Sequence, residues 1–341
     1  MTVPNYGVLK GKALAGKLAG KGGKKPHFQI HIRAVEVEHR IAVNVVSDQA
    51  PSELLFLLVP DFAHPLLARL PELAEGFTPI PSEPAGLAVD FVRDTLFQPT
   101  DMKALPYNAP GTGDDLGEIF SLYVQRAVER GADLYAFGSR WGPEDAKPDE
   151  YFGFAPGNGI HDIHFNQGSP PPHEKDNGVW QDGALFVNFP ADGSWLGFFL
   201  AFQSQFAHTD EHGNPIPGSG MFGQPEGTGA IIDLPGMRIV AALVNPGGDD
   251  PGQETVTLLN TGRERIDLAG WTIVTGAGPR TVIDGPAVAP GDAVRIALPA
   301  QVLPLPNRGG TITLLNPDGL KVHGVAYTGD QARAEGCTVA F

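Results

Sequence analysis

A single cysteine, Cys337, stands in the whole chain. No internal disulfide and no Cys-rich zinc site can therefore form. The thiol near the C-terminus reads as inert. No run of 18 or more apolar residues occurs, so no transmembrane helix is expected. The start, Met1-Thr2-Val3-Pro4-Asn5-Tyr6-Gly7, lacks the apolar core and cleavage site of a signal peptide. The expected location is cytoplasmic, which leaves only a non-classical route for export. Signature motifs are missing too. There is no His-Glu-X-X-His, no Gly-X-Ser-X-Gly, and no Gly-Lys-Ser/Thr ending to the glycine-rich stretch 15–25.

Acid is absent from residues 1–35, which carry Lys10, Lys12, Lys17, Lys21, Lys24, Lys25 and Arg33. All 39 acidic residues lie beyond them, and the net charge is −15. An acidic body repels a phosphate backbone, so broad nucleic-acid binding is not expected; a local basic arm can still touch phosphate.

Glycine (44) and proline (32) are plentiful. They favour short strands and turns over long helices. With 341 residues the chain is long enough for two domains. The fold expected is α+β in the first: a mixed or antiparallel sheet with a few helices over 1–212. A Gly/Pro-rich linker follows over 213–235. The second domain, 237–341, is expected to be an all-β, immunoglobulin-like sandwich, because short strands recur there at close, regular spacing.

In the first domain, Tyr6–Leu14 reads as a strand and 15–25 as a flexible loop. Alternation predicts a strand over 26–35, with His27, Gln29, His31 and Arg33 on a solvent-facing edge. His27 and His31 would sit roughly 13 Å apart, too far to share a metal, though either can join groups from elsewhere. Further strands are expected over 39–46 and 53–59. A short helix over 61–73 would be capped by Asp61. A helix over about 115–130 would be capped by Asp114 and Asp115, ended by Gly131, and followed by a buried strand over 134–138.

The densest polar window is Gly159-Ile160-His161-Asp162-Ile163-His164-Phe165-Asn166-Gln167-Gly168. Flanking glycines and the Ile-Phe content predict one extended strand. Asp162, His164 and Asn166 then share a face, with His161 and Gln167 on the other. Residues 173–182 and 203–212 supply further ligand-type groups.

Two functional readings follow. In the first, the protein is a non-catalytic ligand-binding or structural protein. Its polar row forms a hydrogen-bond network or a pocket without turnover, and the sandwich contacts a protein partner. In the second it is a metal-assisted hydrolase, with a phosphodiester as the first substrate class. Asp162, His164, Asp176 and His208 would hold Mn²⁺, Zn²⁺ or Mg²⁺, and Asp182 would complete the set or act as base. Lys24, Lys25 or Arg140 would neutralise charge. A metal-free form would use His161 and His164 as an acid–base pair; Asn166 joins Asp162 and His164 in the ligand set, and Gln167 is a further candidate site residue. No sequence feature sets the oligomeric state.

Three groups of motifs resemble a YukJ-like bacterial family of unknown function. They are Asn5-Tyr6-Gly7-Val8-Leu9-Lys10-Gly11; Pro26-His27-Phe28-Gln29-Ile30-His31 with Arg40-Ile41-Ala42-Val43-Asn44; and Gly159–Gly168 followed by Gln181-Asp182-Gly183-Ala184-Leu185. The segment Phe199–Gln205 is similar as well. The resemblance covers most of 4–212 and implies no activity. The second domain resembles the lamin-tail domain through Glu254–Asn260, Ile266–Ile273 with Trp271, Gly309–Asn316 and Gly319–Tyr327. That likeness implies an immunoglobulin-like interaction module with Trp271 in its core.

Overall fold

Alternating apolar residues build the first strands. The computed structural model describes residues 5–23, 25–47, 50–80, 101–161, 164–166, 181–203, 207–209, 215–220, 236–248, 252–275, 280–299 and 305–341. The chain divides into two compact units: Met1–Val46, Glu53–Gly168 and Gln181–Phe202 form one, and Ser47–Ser52, Ser169–Trp180 and Gln203–Phe341 the other. The described chain is mostly β, and no described helix is long and apolar enough to cross a membrane.

In the first unit the elements are β1 (Tyr6–Ala19), β2 (His27–Ala34), β3 (Val37–Asn44), β4 (Leu54–Pro60), β5 (Gly76–Pro79), β6 (Lys103–Leu105), α1 (Leu116–Glu129), β7 (Asp133–Glu144), β8 (Gly157–His161), β9 (His164–Asn166), β10 (Gln181–Phe189) and β11 (Ser194–Phe202). β1, β2 and β3 make an antiparallel meander. Phe28, Ile30 and Ile32 bury one face of β2. β1 runs to Ala19 instead of ending at Leu14, because its later half pairs with β2 up to Ala19↔His27. The glycines there are strand glycines. A Cβ on Gly16 would stand 2.8 Å from Val124 Cγ1 and 2.9 Å from Phe28, so only glycine lets the neighbours approach.

The meander closes into a ring. β1 pairs antiparallel with β7, β7 with β8, and β8 runs parallel to β3. The order is therefore β1-β2-β3-β8-β7 and back to β1. From the start of β7 a second run of strands leaves the ring in the order β10-β11-β4-β6, while β5 pairs with β1 and β9 with β10. α1 joins the two parts. Its buried Phe120 stacks on Phe28 of the ring at 5.4 Å and on Phe198 of β11 at 5.2 Å, and meets Phe56 of β4 edge-on at 6.2 Å. Asp115 caps the helix by accepting from Glu118 N at 2.8 Å.

Two local expectations are corrected. The helix expected over 61–73 is a single 3₁₀ turn, Pro65–Ala68, capped by His64, while Asp61 has φ 52 and does not cap. Leu67 and Leu70 reach the core without a second turn, so the leucine spacing mimics a helix. The edge of β2 expected to face solvent is covered at Gln29, which is 2% exposed, half-buried at His27 and His31, and exposed at Arg33.

In the second unit, β12 (Ala207–Thr209) pairs with β13 (Pro215–Gly220), the latter inside the stretch expected to be a linker. The remaining strands are β14 (Met237–Leu243), β15 (Thr255–Asn260), β16 (Thr272–Thr275), β17 (Arg280–Val282), β18 (Ala293–Ala297), β19 (Gly309–Leu315), β20 (Lys321–Thr328) and β21 (Thr338–Ala340). They form two four-stranded sheets, β18-β15-β14-β21 and β17-β16-β19-β20. Ile239, Val256 and Leu258 of one share a sandwich-like core with Ile273, Ile312 and Leu314 of the other, and Trp271 is buried in it.

Candidate ligand-binding face of the ring

Strand register sets out the polar residues on the outside of the ring. One cross-strand row holds Lys17, Gln29, Ala42, His161 and Ser139. The next holds Ala15, His31, Arg40, Gly159 and Trp141. Gly159 has no room for a side chain, since its Cβ would lie 1.9 Å from Arg40 O. That contact fixes how closely β8 runs beside β3.

Arg40 is the anchor of this face. Its Nε donates to Asp149 Oδ2 at 2.6 Å and its Nη1 to Gln29 Oε1 at 2.7 Å. The guanidinium lies over the Trp141 ring at 4.8 Å and the Tyr151 ring at 4.9 Å. Asp149 in turn accepts from Tyr151 N and Phe152 N through Oδ1. A buried charge pair of this kind holds the segment after β7 against β2 and β3. Burial, more than the adjacent Glu150 charge, pushes the Tyr151 hydroxyl above its ordinary value.

Next to the anchor lies an aromatic stack. His31 sits between Phe152 (4.8 Å) and Phe154 (5.3 Å), with both ring pairs nearly parallel. Lys17 Nζ covers Phe152 at 4.9 Å and donates to Tyr151 O at 2.8 Å. His31 Nε2 is 3.3 Å from Glu38 Oε2, close enough for an ion pair when the imidazole is protonated. The hydrogen bond from Arg33 holds the Glu38 carboxyl below the usual range. At the lower end of the ring, burial pushes His39 below its ordinary value; a hydrogen bond to Asn158 opposes this and the Arg140 charge adds to it.

The polar window seen in the sequence is not one strand. His161 ends β8, between β3 and β7, while His164 and Asn166 lie on β9 opposite Gly183 and Gln181 of β10. His161 and His164 therefore belong to different pairings. The imidazole facing His161 is His27, with ring centroids 5.0 Å apart. Asp182 lies on β10 opposite Phe165. His208 lies on β12 in the second unit. Asp162, Gln167 and Asp176 fall outside the described residues.

Among the described residues one acidic cluster, Asp114, Asp115 and Glu118, gathers oxygens within 4.8 Å of one another. Asp115 uses both oxygens on Ala109 N and Glu118 N, and Glu118 accepts from Gly113 N, so the cluster caps α1. The sequence reading missed Arg40, Asp149, Phe152 and Phe154. Arg40 carried a signal, since it falls on the polar side of β3's alternation with Glu38 and Asn44. Asp149 and the two phenylalanines lie in a segment without periodicity.

The profile of a protein family described as an uncharacterized conserved protein (DUF2278) matches residues 1–214. The chain belongs to this family. A relative described as uncharacterized protein YukJ, from Bacillus subtilis (strain 168), is 41% identical over 219 residues, covering 63% of this chain and 96% of the relative. No solved structure matches the chain. The family match takes in the whole ring and its outer face.

Proposed function

We propose that the chain is a non-catalytic binding protein that takes its ligand on the outer face of the ring. The observation that carries this reading is the Lys17–Phe152–His31–Phe154 stack, pinned in place by the Arg40–Asp149 pair. Such a surface is aromatic, cationic and pre-organised, and pre-organisation lowers the ordering cost of binding. In this reading 1–212 is the ligand-binding domain, 213–235 the connection, and 237–341 an immunoglobulin-like, lamin-tail-type module that contacts a protein partner. The two sheets with a shared core and the buried Trp271 support that assignment. A thermal-shift screen of the full chain tests the reading, using oligosaccharides, nucleotides, single-stranded oligonucleotides and acidic peptides. At least one class should raise the melting temperature of wild type and not of Phe152→Ala/Phe154→Ala. Equal shifts in both proteins, or none in either, contradict it.

The His27–His161 pair supports a second reading, a metal-assisted hydrolase. Two imidazoles brought together from separate strands suit Zn²⁺ or Mn²⁺. This reading calls for stoichiometric metal in the purified protein that is lost in His27→Ala/His161→Ala. Metal-free protein whose melting temperature does not respond to added Zn²⁺ or Mn²⁺ sinks it.

A further inference from the structure

We infer that the ring binds single-stranded nucleic acid beside β2 and β3, along the β7–β8 loop that covers those strands, with phosphates held by the exposed β1–β2 loop. The inference rests on the reading above that this face takes the ligand, and it names the ligand class. Its first support is connectivity. In the ring a three-stranded meander is followed by two more strands, after β4, β5 and β6, which lie outside the ring, and a helix. The fourth strand of the ring closes onto the first, and the fifth runs parallel to the third. This is the connectivity of the OB fold, a five-stranded barrel. Its strand 2–3 face and its loops between strands 1 and 2 and strands 4 and 5 bind oligonucleotides and oligosaccharides. The long β1 serves both neighbours, pairing with β7 through Tyr6–Lys12 and with β2 through Lys12–Ala19. α1 packs at the end of the ring where β1 stops and β2 starts.

The second support is what occupies the two loops. The β1–β2 loop, 20–26, and its approach carry Lys17, Lys21 and Lys25, all exposed, in a stretch that holds no acid. The loop between β7 and β8, 145–156, carries the half-buried Phe152 and Phe154. A positive track beside aromatic rings is how single strands are held without base-specific contacts.

Charge selects a polyanion over a neutral sugar. Glu38 is matched by Arg33 at 2.8 Å, Asp149 by Arg40 at 2.6 Å and Glu144 by Lys147 at 3.7 Å, whereas Glu150 shares Arg40 at 3.9 Å and Asp145 is exposed on the β7–β8 loop, so the positive track lies on the β1–β2 side. Glu36 lies at the β2–β3 turn, the opposite end from the loop lysines. The net charge of −15 disfavours duplex, which needs a broad basic surface. It leaves a narrow strip where one strand fits.

The test is fluorescence anisotropy of the full chain with labelled oligothymidylate and oligouridylate of about 15 nucleotides, the upper range for one such barrel. Duplex of the same length is the control, and salt is varied. The single strands should bind and the duplex should bind at least ~10-fold more weakly. Lys21→Ala/Lys25→Ala should lose at least ~10-fold in affinity and flatten the salt dependence by about 1.4, or about 0.7 per phosphate contact. Lys21→Arg/Lys25→Arg should retain binding. Phe154→Ala should lose about tenfold with the salt slope unchanged. All substituted positions are on loops, and circular dichroism of each variant verifies the fold. No binding at low salt, equal binding of duplex, or binding indifferent to the lysines overturns the inference. If the oligonucleotides fail while another class in the thermal-shift screen needs Phe152 and Phe154, the inference falls and the binding reading stands. If every class fails, both fall.

Discussion

At the scale of single residues, Arg40 is a charge almost out of reach of water. Its side chain is 9% exposed and that of Asp149 is 0% exposed. Removing Asp149 leaves the buried Arg40 only the half-exposed Glu150, at 3.9 Å, as a counter-charge. Asp149→Asn should therefore cost about 3 kcal/mol in urea denaturation; a loss below about 1 kcal/mol would mean that the pair does not hold the loop. The second residue-scale prediction concerns pH. His323 Nδ1 accepts from Ile239 N at 3.2 Å, which requires the neutral ring. Burial first, then the charges of Arg238 and Lys321, push its pKa down to about 3. Below the ordinary value of 6.5 the unfolded chain takes up a proton that the folded chain refuses. Stability from this group is complete above 6.5 and falls as pH drops toward about 3. The wild type should thus lose about 2 kcal/mol more than His323→Asn between about pH 7 and pH 5. Equal losses would contradict the burial of a neutral imidazole. Neither residue was legible as sequence. Arg40 matters because of Asp149, more than 100 residues further along the chain, and His323 because another strand aims an N–H at it.

Among the elements, α1 was the most legible, since its signals are local. Leu116, Phe120, Val124 and Ala127 recur at helical spacing and are all buried, and Asp115 precedes them as cap. Asp115→Ala should cost about 1 kcal/mol. Phe120→Ala should cost about 3–5 kcal/mol, because its side chain touches both Phe28 of β2 and Phe198 of β11. Thermal melts of both variants check this, and a larger loss from the cap than from the core ring would reverse the assignment. The later half of β1 was hidden for the opposite reason. Its glycines read as a loop, but Gly16 serves close packing against Val124 and Phe28, contacts that exist only after folding. The parallel pairing of β3 with β8 left no local trace either, and with it went the closed ring and the meeting of His27 with His161. The polar window was expected to be one strand, and its described residues are divided between β8 and β9. The alternation carries no sign that the chain leaves one pairing for another.

At the scale of the whole molecule, the family match ends near residue 214, and the Bacillus subtilis relative is 96% covered by the aligned stretch. The ring and its outer sheet are therefore expected to fold without the C-terminal sandwich. A chain truncated after residue 214 should give a β-type circular dichroism spectrum and one cooperative melt; an unfolded or aggregated product would show that the second unit is required. The central claim, that the outside of the ring is the binding face, is tested most directly by hydrogen–deuterium exchange of the full chain with and without the ligand class that the thermal-shift screen selects. The account predicts protection concentrated in 17–44 and 145–161, with 236–341 unchanged. Protection confined to the sandwich, or to the outer sheet of β10 and β11, would contradict it.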